Sequence, residues 1–447
     1  MSRLTARSRE LLLLLFATGL LLLMLFGLET SQGRTLSTEM LYLVGGFIGV
    51  YAIAHLSLAF LAPHADQVLL PMVALLNAIG LVVIYRLDLA ERPGYGPLAE
   101  RQMMWSLVGV GLMVLTLLVV REHQALSRYS YLLGLVGLIF LALPLVWPQP
   151  EGHADARIWL WLGPFSIQPG EFSKILLLIF FAQLLAQKRA LFTVAGRRFL
   201  GLTLPRVRDL APILMVWAIA ILIMAASNDF GPALLLFATV LGMVYFATDR
   251  ISWLAIGLAL VAVGGYAVYQ VSGKIQERVA NFIDPFADFE GIGNQPANAL
   301  IGLSWGGMTG TGLGYGHPEL VPVAHSDYIL AAIGEELGLV GIAAVLCLFA
   351  IFITRGFRTA MQVRDSYGKL LAAGLALTTA IQIFVVAGGV SSMMPMTGLT
   401  TPFMSAGGSS VMANYILLGL LLRISSSANR PAEYDESTQR RQVVGAR

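Results

Sequence analysis

Asp327 stands where a long polar stretch gives way to an apolar one. The chain reads His325-Ser326-Asp327 and then Tyr328-Ile329-Leu330, the start of a run long enough for a membrane-spanning helix. A carboxylate in the first turn of a helix faces unpaired backbone N–H groups. The sequence therefore predicts an ionised Asp327 at the membrane surface, able to accept a proton. Arg278 and a glycine-rich run from Gly291 to Gly316 precede it; a solvated loop charge is the competing reading of Arg278. Glu171 and Lys174 are spaced i, i+3 and share one helix face, where they either line a polar cavity or neutralise each other. Asp229, in Ser227-Asn228-Asp229-Phe230-Gly231-Pro232, suits a cavity lining or a helix N-cap with proline just inside. Arg157 lies in the connection that leads to Glu171. Ser391, Ser405 and Gly407 belong to a late segment whose hydroxyls and glycines permit close backbone approach at membrane depth, tolerable where the segment is buried in protein or lines a cavity. His325 is the one histidine beside Asp327, and a lone surface group is its simplest reading. Glu335 and Glu336 lie about 12–13 Å further along a straight helix, too far to pair with Asp327, and are assigned to packing or helix bridging.

The elements that position these groups follow from composition. The chain has 447 residues, 57% hydrophobic and 12% charged, with a formal charge of +3 and mean hydropathy +0.75. Soluble domains carry about 25% charged residues, so the class is a polytopic membrane protein, all-α. Cys347 is the single cysteine, which excludes a disulfide framework or a cysteine-based zinc site. No phosphate-binding loop, dinucleotide fingerprint or HExxH helix is present. Neither an organic cofactor nor a nucleic-acid partner is expected.

A bilayer core needs about 20 apolar residues per helix. Twelve spans result: 10–28, 39–62, 67–85, 102–120, 130–147, 170–187, 209–227, 231–248, 251–271, 328–354, 367–390 and 404–424. The first is too long for a signal-peptide core and lacks a cleavage site. With both termini cytoplasmic, about 21 of the 29 basic residues fall on the inner side, as the positive-inside rule requires. Asp327 and the loop 272–326 then face outward. Residues 1–66 read as two additional helices, 67–424 as the core and 425–447 as a disordered cytoplasmic tail. The basic 188–208 loop reads as an ordinary inner-surface anchor.

Taken in order, several motifs resemble one family. They are Arg157; Gln168, Pro169, Glu171 and Lys174; Asp229-Phe230-Gly231; Gln295 with Gly306-Gly307 and Gly310; His325 to Ile329; Glu335 to Gly338; and Pro402-Phe403-x-Ser405-x-Gly407-Gly408-Ser409. Together they resemble the SEDS family of shape, elongation, division and sporulation proteins over about residues 67–424. Members typically have ten spans. The first two helices here look like an addition, as in actinobacterial members of the RodA type, and are expected to be peripheral to catalysis. The chain departs from the family pattern at Val323, Ser326, Phe230, Ala406 and Val386.

The resemblance implies a peptidoglycan glycosyltransferase in the cytoplasmic membrane, polymerising lipid II for elongation or division beside a class B penicillin-binding transpeptidase. The family's essential acidic residue corresponds to Asp327. An outward-facing base suits a donor already carried on a lipid pyrophosphate. Asp327 would deprotonate the attacking sugar hydroxyl, and undecaprenyl pyrophosphate would leave from the growing glycan. Arg157, Lys174, Arg278 or a divalent ion, Mg²⁺ or Mn²⁺, would receive the developing negative charge. A lipid II flippase and a non-catalytic scaffold are the rival classes. A flippase calls for repeat symmetry, which is not evident between the halves.

Overall fold

The computed structural model describes residues 7–34, 37–90, 96–149, 157–163, 165–193, 197–199, 202–204 and 207–430, with side chains described outside 189–213. The chain is mostly helical. Fifteen α-helices occur among the described residues: α1 (Ser8–Ser31), α2 (Thr38–Leu61), α3 (Leu69–Asp88), α4 (Leu98–Val119), α5 (Gln124–Arg128), α6 (Ser130–Val146), α7 (Pro169–Thr193), α8 (Val207–Ala226), α9 (Phe230–Thr248), α10 (Ser252–Val271), α11 (Gly273–Ile283), α12 (Asn294–Gly306), α13 (Ile329–Gln362), α14 (Ser366–Val390) and α15 (Gly408–Ala428). Two antiparallel hairpins interrupt them, β1 (Leu160–Leu162) with β2 (Phe165–Ile167), and β3 (Arg197–Phe199) with β4 (Leu202–Leu204).

Ten of these helices are long and apolar enough to cross a membrane, and α6 with the Leu214–Ala226 part of α8 are shorter apolar helices. Each lies within a few residues of an expected span. Helix α3 is the axis of the bundle, with its apolar window wholly buried. Helices α1 and α13 pack on it, α15 packs along α4, and α14 joins α13 to α7 and α9. At the opposite extreme α10 exposes nearly its whole surface, including Leu258, Val263 and Tyr266, and buries only Ser252, Trp253 and Gly257.

Three expectations change. The segment 272–326 is not a plain loop: it folds into amphipathic α11, then α12 and a short 3₁₀ turn, Pro318–Leu320. The tail begins later than Ser425, because α15 runs to Ala428 with Ser425 and Ser426 buried; residues 431–447 lie outside the described ones, as do the 189–208 side chains assigned to a basic anchor. Third, α13 is broken at Gly338 (φ 67°, ψ −168°). The break is held from outside, since Thr311 and Gly312 donate to Glu335 O and Glu336 O while Leu339 and Val340 donate to Gly307 O and Met308 O. A Cβ on Gly338 would stand 2.3 Å from Gly310 N, so only glycine fits. The upper half, Ile329 to Leu337, is thereby set apart from the long lower helix.

Candidate active site

Asp327 is brought beside Arg278 by two elements of different origin. The upper half of α13 presents Asp327 just before its N-cap, Tyr328. Helix α11 presents Arg278, whose Nη1 donates to Thr397 O at 3.0 Å. Both line a cavity of about 140 Å³ together with Asn281, Gln295, Ser392 and Gly398. Gln295 Nε2 donates to Pro322 O at 2.7 Å, which fixes α12 against the chain that leads into Asp327.

The electrostatics differ from the sequence expectation. Asp327 lies two residues before the first helical residue, and α13 receives no side-chain cap. Burial raises its pKa above the ordinary aspartate value, opposed by its own backbone N–H and by Arg278. Desolvation, not the helix end, dominates. Arg278 responds in kind: burial lowers its pKa, while Asp229 and Asp327 raise it. Arg278 thus answers two carboxylates.

Asp229 stands at the N-cap position of α9 but makes no side-chain cap bond. Its pKa is raised to about 6 by burial and by Glu171, with Lys274 and Arg278 acting in the opposite sense. Glu171 and Lys174 form the internal ion pair, Nζ to Oε2 at 2.7 Å and both buried. Lys174 also reaches Gln382 Oε1 at 3.4 Å, and Gln382 Nε2 donates to Thr400 O at 2.8 Å. This pair lines a space of about 10 Å³ beside Leu399, separate from the Asp327 cavity. The neutralising reading of Glu171 and Lys174 therefore fits the geometry better than the cavity reading.

Other expected lining residues are placed elsewhere. His325 turns its side chain to a small space lined by Leu87 and Glu319, where burial lowers its pKa; its carbonyl accepts from Ala406 N at 2.8 Å. Ser405 is a staple, donating to Ser326 O at 2.5 Å and accepting from Thr401 N at 2.8 Å. Gly407 is the N-cap residue of α15, accepting from Val411 N. Ser391 bonds its own helix at Ala387 O, 2.8 Å, and its neighbour Ser392 lines the cavity instead. Arg157 is exposed and absent from that lining. Sequence reading missed Asn281 and Ser392; both sit one helical turn or one residue from groups it did select.

Glu336 bridges helices as expected: Arg86 Nε of α3 lies 2.9 Å from its Oε1, both buried, while Glu335 Oε1 accepts from His317 N at 2.6 Å. Four non-glycine residues with left-handed backbone lie in three loops about the site: Asn228, Val323, and Ser392 with Phe403. Such strain costs on the order of 1–3 kcal/mol each and persists where the surroundings enforce it. Among the described residues no three His, Cys, Asp or Glu side chains come together as metal ligands. The described side chains therefore do not build a Mg²⁺ or Mn²⁺ cage.

A family model described as a cell cycle protein, FtsW/RodA/SpoVE, matches residues 66–430. The chain is 49% identical over 431 residues to the peptidoglycan glycosyltransferase RodA of Mycobacterium tuberculosis, covering 96% of this chain and 92% of that protein. It is 50% identical over 433 residues to the protein of the same name from Mycobacterium leprae, with 96% and 92% covered. Among solved structures, a chain from a study of structural coordination of polymerization and crosslinking by a peptidoglycan synthase complex superposes with a TM-score of 0.65 at 27% identity. That match covers 83% of this chain and 99% of that one. The family match begins after α1 and α2, whereas the mycobacterial matches leave out too few residues to omit that hairpin.

Proposed function

This chain belongs to the FtsW/RodA/SpoVE family and is a peptidoglycan glycosyltransferase, and from that premise we propose how its outer cavity carries out the transfer. Asp327 acts as general base on the sugar hydroxyl of incoming lipid II. The oxygen attacks the anomeric carbon of the growing strand, and undecaprenyl pyrophosphate leaves with the bonding electron pair. Arg278 is the cation that receives the developing charge. The observation that carries this reading is the shared cavity wall, with Arg278 and Asp327 in electrostatic contact. A carboxylate whose pKa is raised by burial is also a better base than an exposed one.

The proposal extends to topology and partners. Twelve helices cross the cytoplasmic membrane, the termini lie inside and the cavity opens outside, in keeping with the positive-inside count. A class B penicillin-binding protein crosslinks the strands, a pairing suggested by the synthase complex that the fold resembles. Asp229 acts on the cavity from outside its wall through its field on Arg278, and Glu171 acts in turn on Asp229. The test is polymerisation of lipid II by the purified protein, with and without Asp327→Asn. Polymer from wild type and none from a folded variant supports the reading. Polymer at wild-type rate from Asp327→Asn removes the base assignment, and translocation of lipid II without polymer favours a flippase.

A further inference from the structure

A second polar cavity lies at the other end of the bundle from Asp327. Helix α14 separates them: its N-cap Asp365 is at one end and Ser392, past its last residue, lines the Asp327 cavity at the other. Twenty-five helical residues span about 37 Å. The second cavity, about 190 Å³, is lined by Arg121, Glu122, His123, Arg423, Ser426 and Arg430.

Its charges are unbalanced. Three arginines meet one carboxylate, Glu122. The carboxylate of Asp365 is already engaged, accepting a bond with His123 Nε2 at 2.7 Å and one from Gly368 N at 2.7 Å. Arg430 stands close enough to Arg423 for the two guanidinium groups to repel each other. Arg423 is the buried member of the three, so the repulsion from Arg430 falls on a guanidinium with little access to water.

Two of the lining side chains are deeply buried and incompletely bonded. Arg423, 7% exposed, donates to Leu61 O at 2.9 Å and to Leu117 O, at the ends of α2 and α4. Those carbonyls at helix C-termini explain a cation there. They leave Arg423 Nε with no hydrogen-bond partner, however, and His123, 3% exposed, leaves Nδ1 likewise. Buried polar atoms are normally satisfied; with His123 Nε2 donating to Asp365, its Nδ1 is an acceptor, so the unmet donor is Arg423 Nε. A ligand with several acceptor oxygens and negative charge would answer Arg423, Arg121 and Arg430 at once, and arginine forks match phosphate geometry.

We propose that this cavity is an anion site for a phosphoryl group, remote from the glycosyl-transfer chemistry. The phosphoryl group comes either from a phospholipid headgroup of the adjoining leaflet or from free phosphate. The test uses full-length purified protein and its thermal unfolding midpoint. One arm titrates inorganic phosphate against chloride at matched ionic strength, in detergent. The other compares nanodiscs of phosphatidylcholine with nanodiscs containing phosphatidic acid. Arg121→Gln and Arg430→Gln, both at exposed positions, test the site without disturbing the buried Arg423. A saturable rise in wild type, weakened at least tenfold in each variant, is expected. A rise with phosphate in detergent identifies free phosphate as sufficient, and a rise confined to phosphatidic acid identifies the lipid. No saturable rise with either probe, or a rise of equal affinity in both variants, overturns the proposal.

Discussion

Tyr51 Oη and Tyr415 Oη meet at 2.7 Å inside the bundle, joining α2, outside the family match, to α15 within it. The contact continues inward, from Tyr415 to Phe403 at 5.8 Å between ring centroids and from Phe403 to Phe352 at 5.7 Å. Phe403 belongs to the loop whose Ser405 and Ala406 hold the backbone of Ser326 and His325. The hairpin also engages the segment before α13, where Gln32 Nε2 donates to Gly314 O at 2.5 Å, and α3, where Glu29 accepts from Tyr85 at 2.6 Å.

Tyr51→Phe should therefore leave a buried hydroxyl of Tyr415 unpaired and lower stability by about 1–3 kcal/mol. The double variant Tyr51→Phe/Tyr415→Phe should lose less than the sum of the two single changes. Thermal unfolding of the four proteins measures this, and strict additivity would sink it. A chain starting at Asp66 should insert and stay active but unfold at lower temperature, any loss of activity tracking lost stability; a folded, correctly oriented chain of this length that is inactive on lipid II would show that α1 and α2 help form the site.

Activity should fall as pH is lowered through the raised pKa of Asp327, because the protonated carboxyl cannot accept a proton. Arg278 lowers that pKa. Arg278→Gln should thus move the acidic limb of kcat/KM to higher pH, besides reducing kcat about 10²-fold or more if it meets the leaving group. A limb that stays in place after the change would show that the two groups are not coupled.

Asp229 titrates at a higher pH folded, about 6, than its ordinary 3.8. The folded state then binds the extra proton, so this group's contribution to stability falls as pH rises from about 4 to about 6 and stays low above that. Asp229→Asn should match wild type in unfolding temperature near pH 4 and exceed it near pH 7. Equal midpoints at both pH values would contradict the shift.

Removing one partner of the buried Arg86–Glu336 pair should cost about 3–5 kcal/mol, since the other charge is left uncompensated. Arg86→Met with Glu336→Met should recover much of that loss. Gly338→Ala should be still less tolerated, because a Cβ would meet Gly310 N and Met308 O. Yield of folded protein by size exclusion reports both effects; a monodisperse Gly338→Ala protein at wild-type yield would be the contrary result.

The long apolar helices, ten of them able to cross a membrane among the described residues, were legible because length and apolarity alone determine them, and the pairing of Glu171 with Lys174 because i, i+3 spacing is local. Three things were not legible. The break at Gly338 depends on Gly307 to Gly312 folding back from elsewhere, which no local pattern reveals. The upward shift of the Asp327 pKa comes from burial, in a cavity whose wall includes α11 and α12, elements hidden in a stretch read as loop. Ser391 and Ser392 are adjacent and chemically identical, and the left-handed backbone at Ser392 decides which of them reaches the cavity.

Helix α10, almost bare of protein contacts, runs directly into α11 and so into Arg278. In a bilayer, acyl chains rather than neighbouring helices would supply most of its surroundings. Arg278, the proposed cation, is consequently suspended from the part of the molecule that detergent exchange disturbs first. Turnover should decline on stripping annular lipid and return on reconstitution, while the tightly packed scaffold behind Asp327 stays intact throughout.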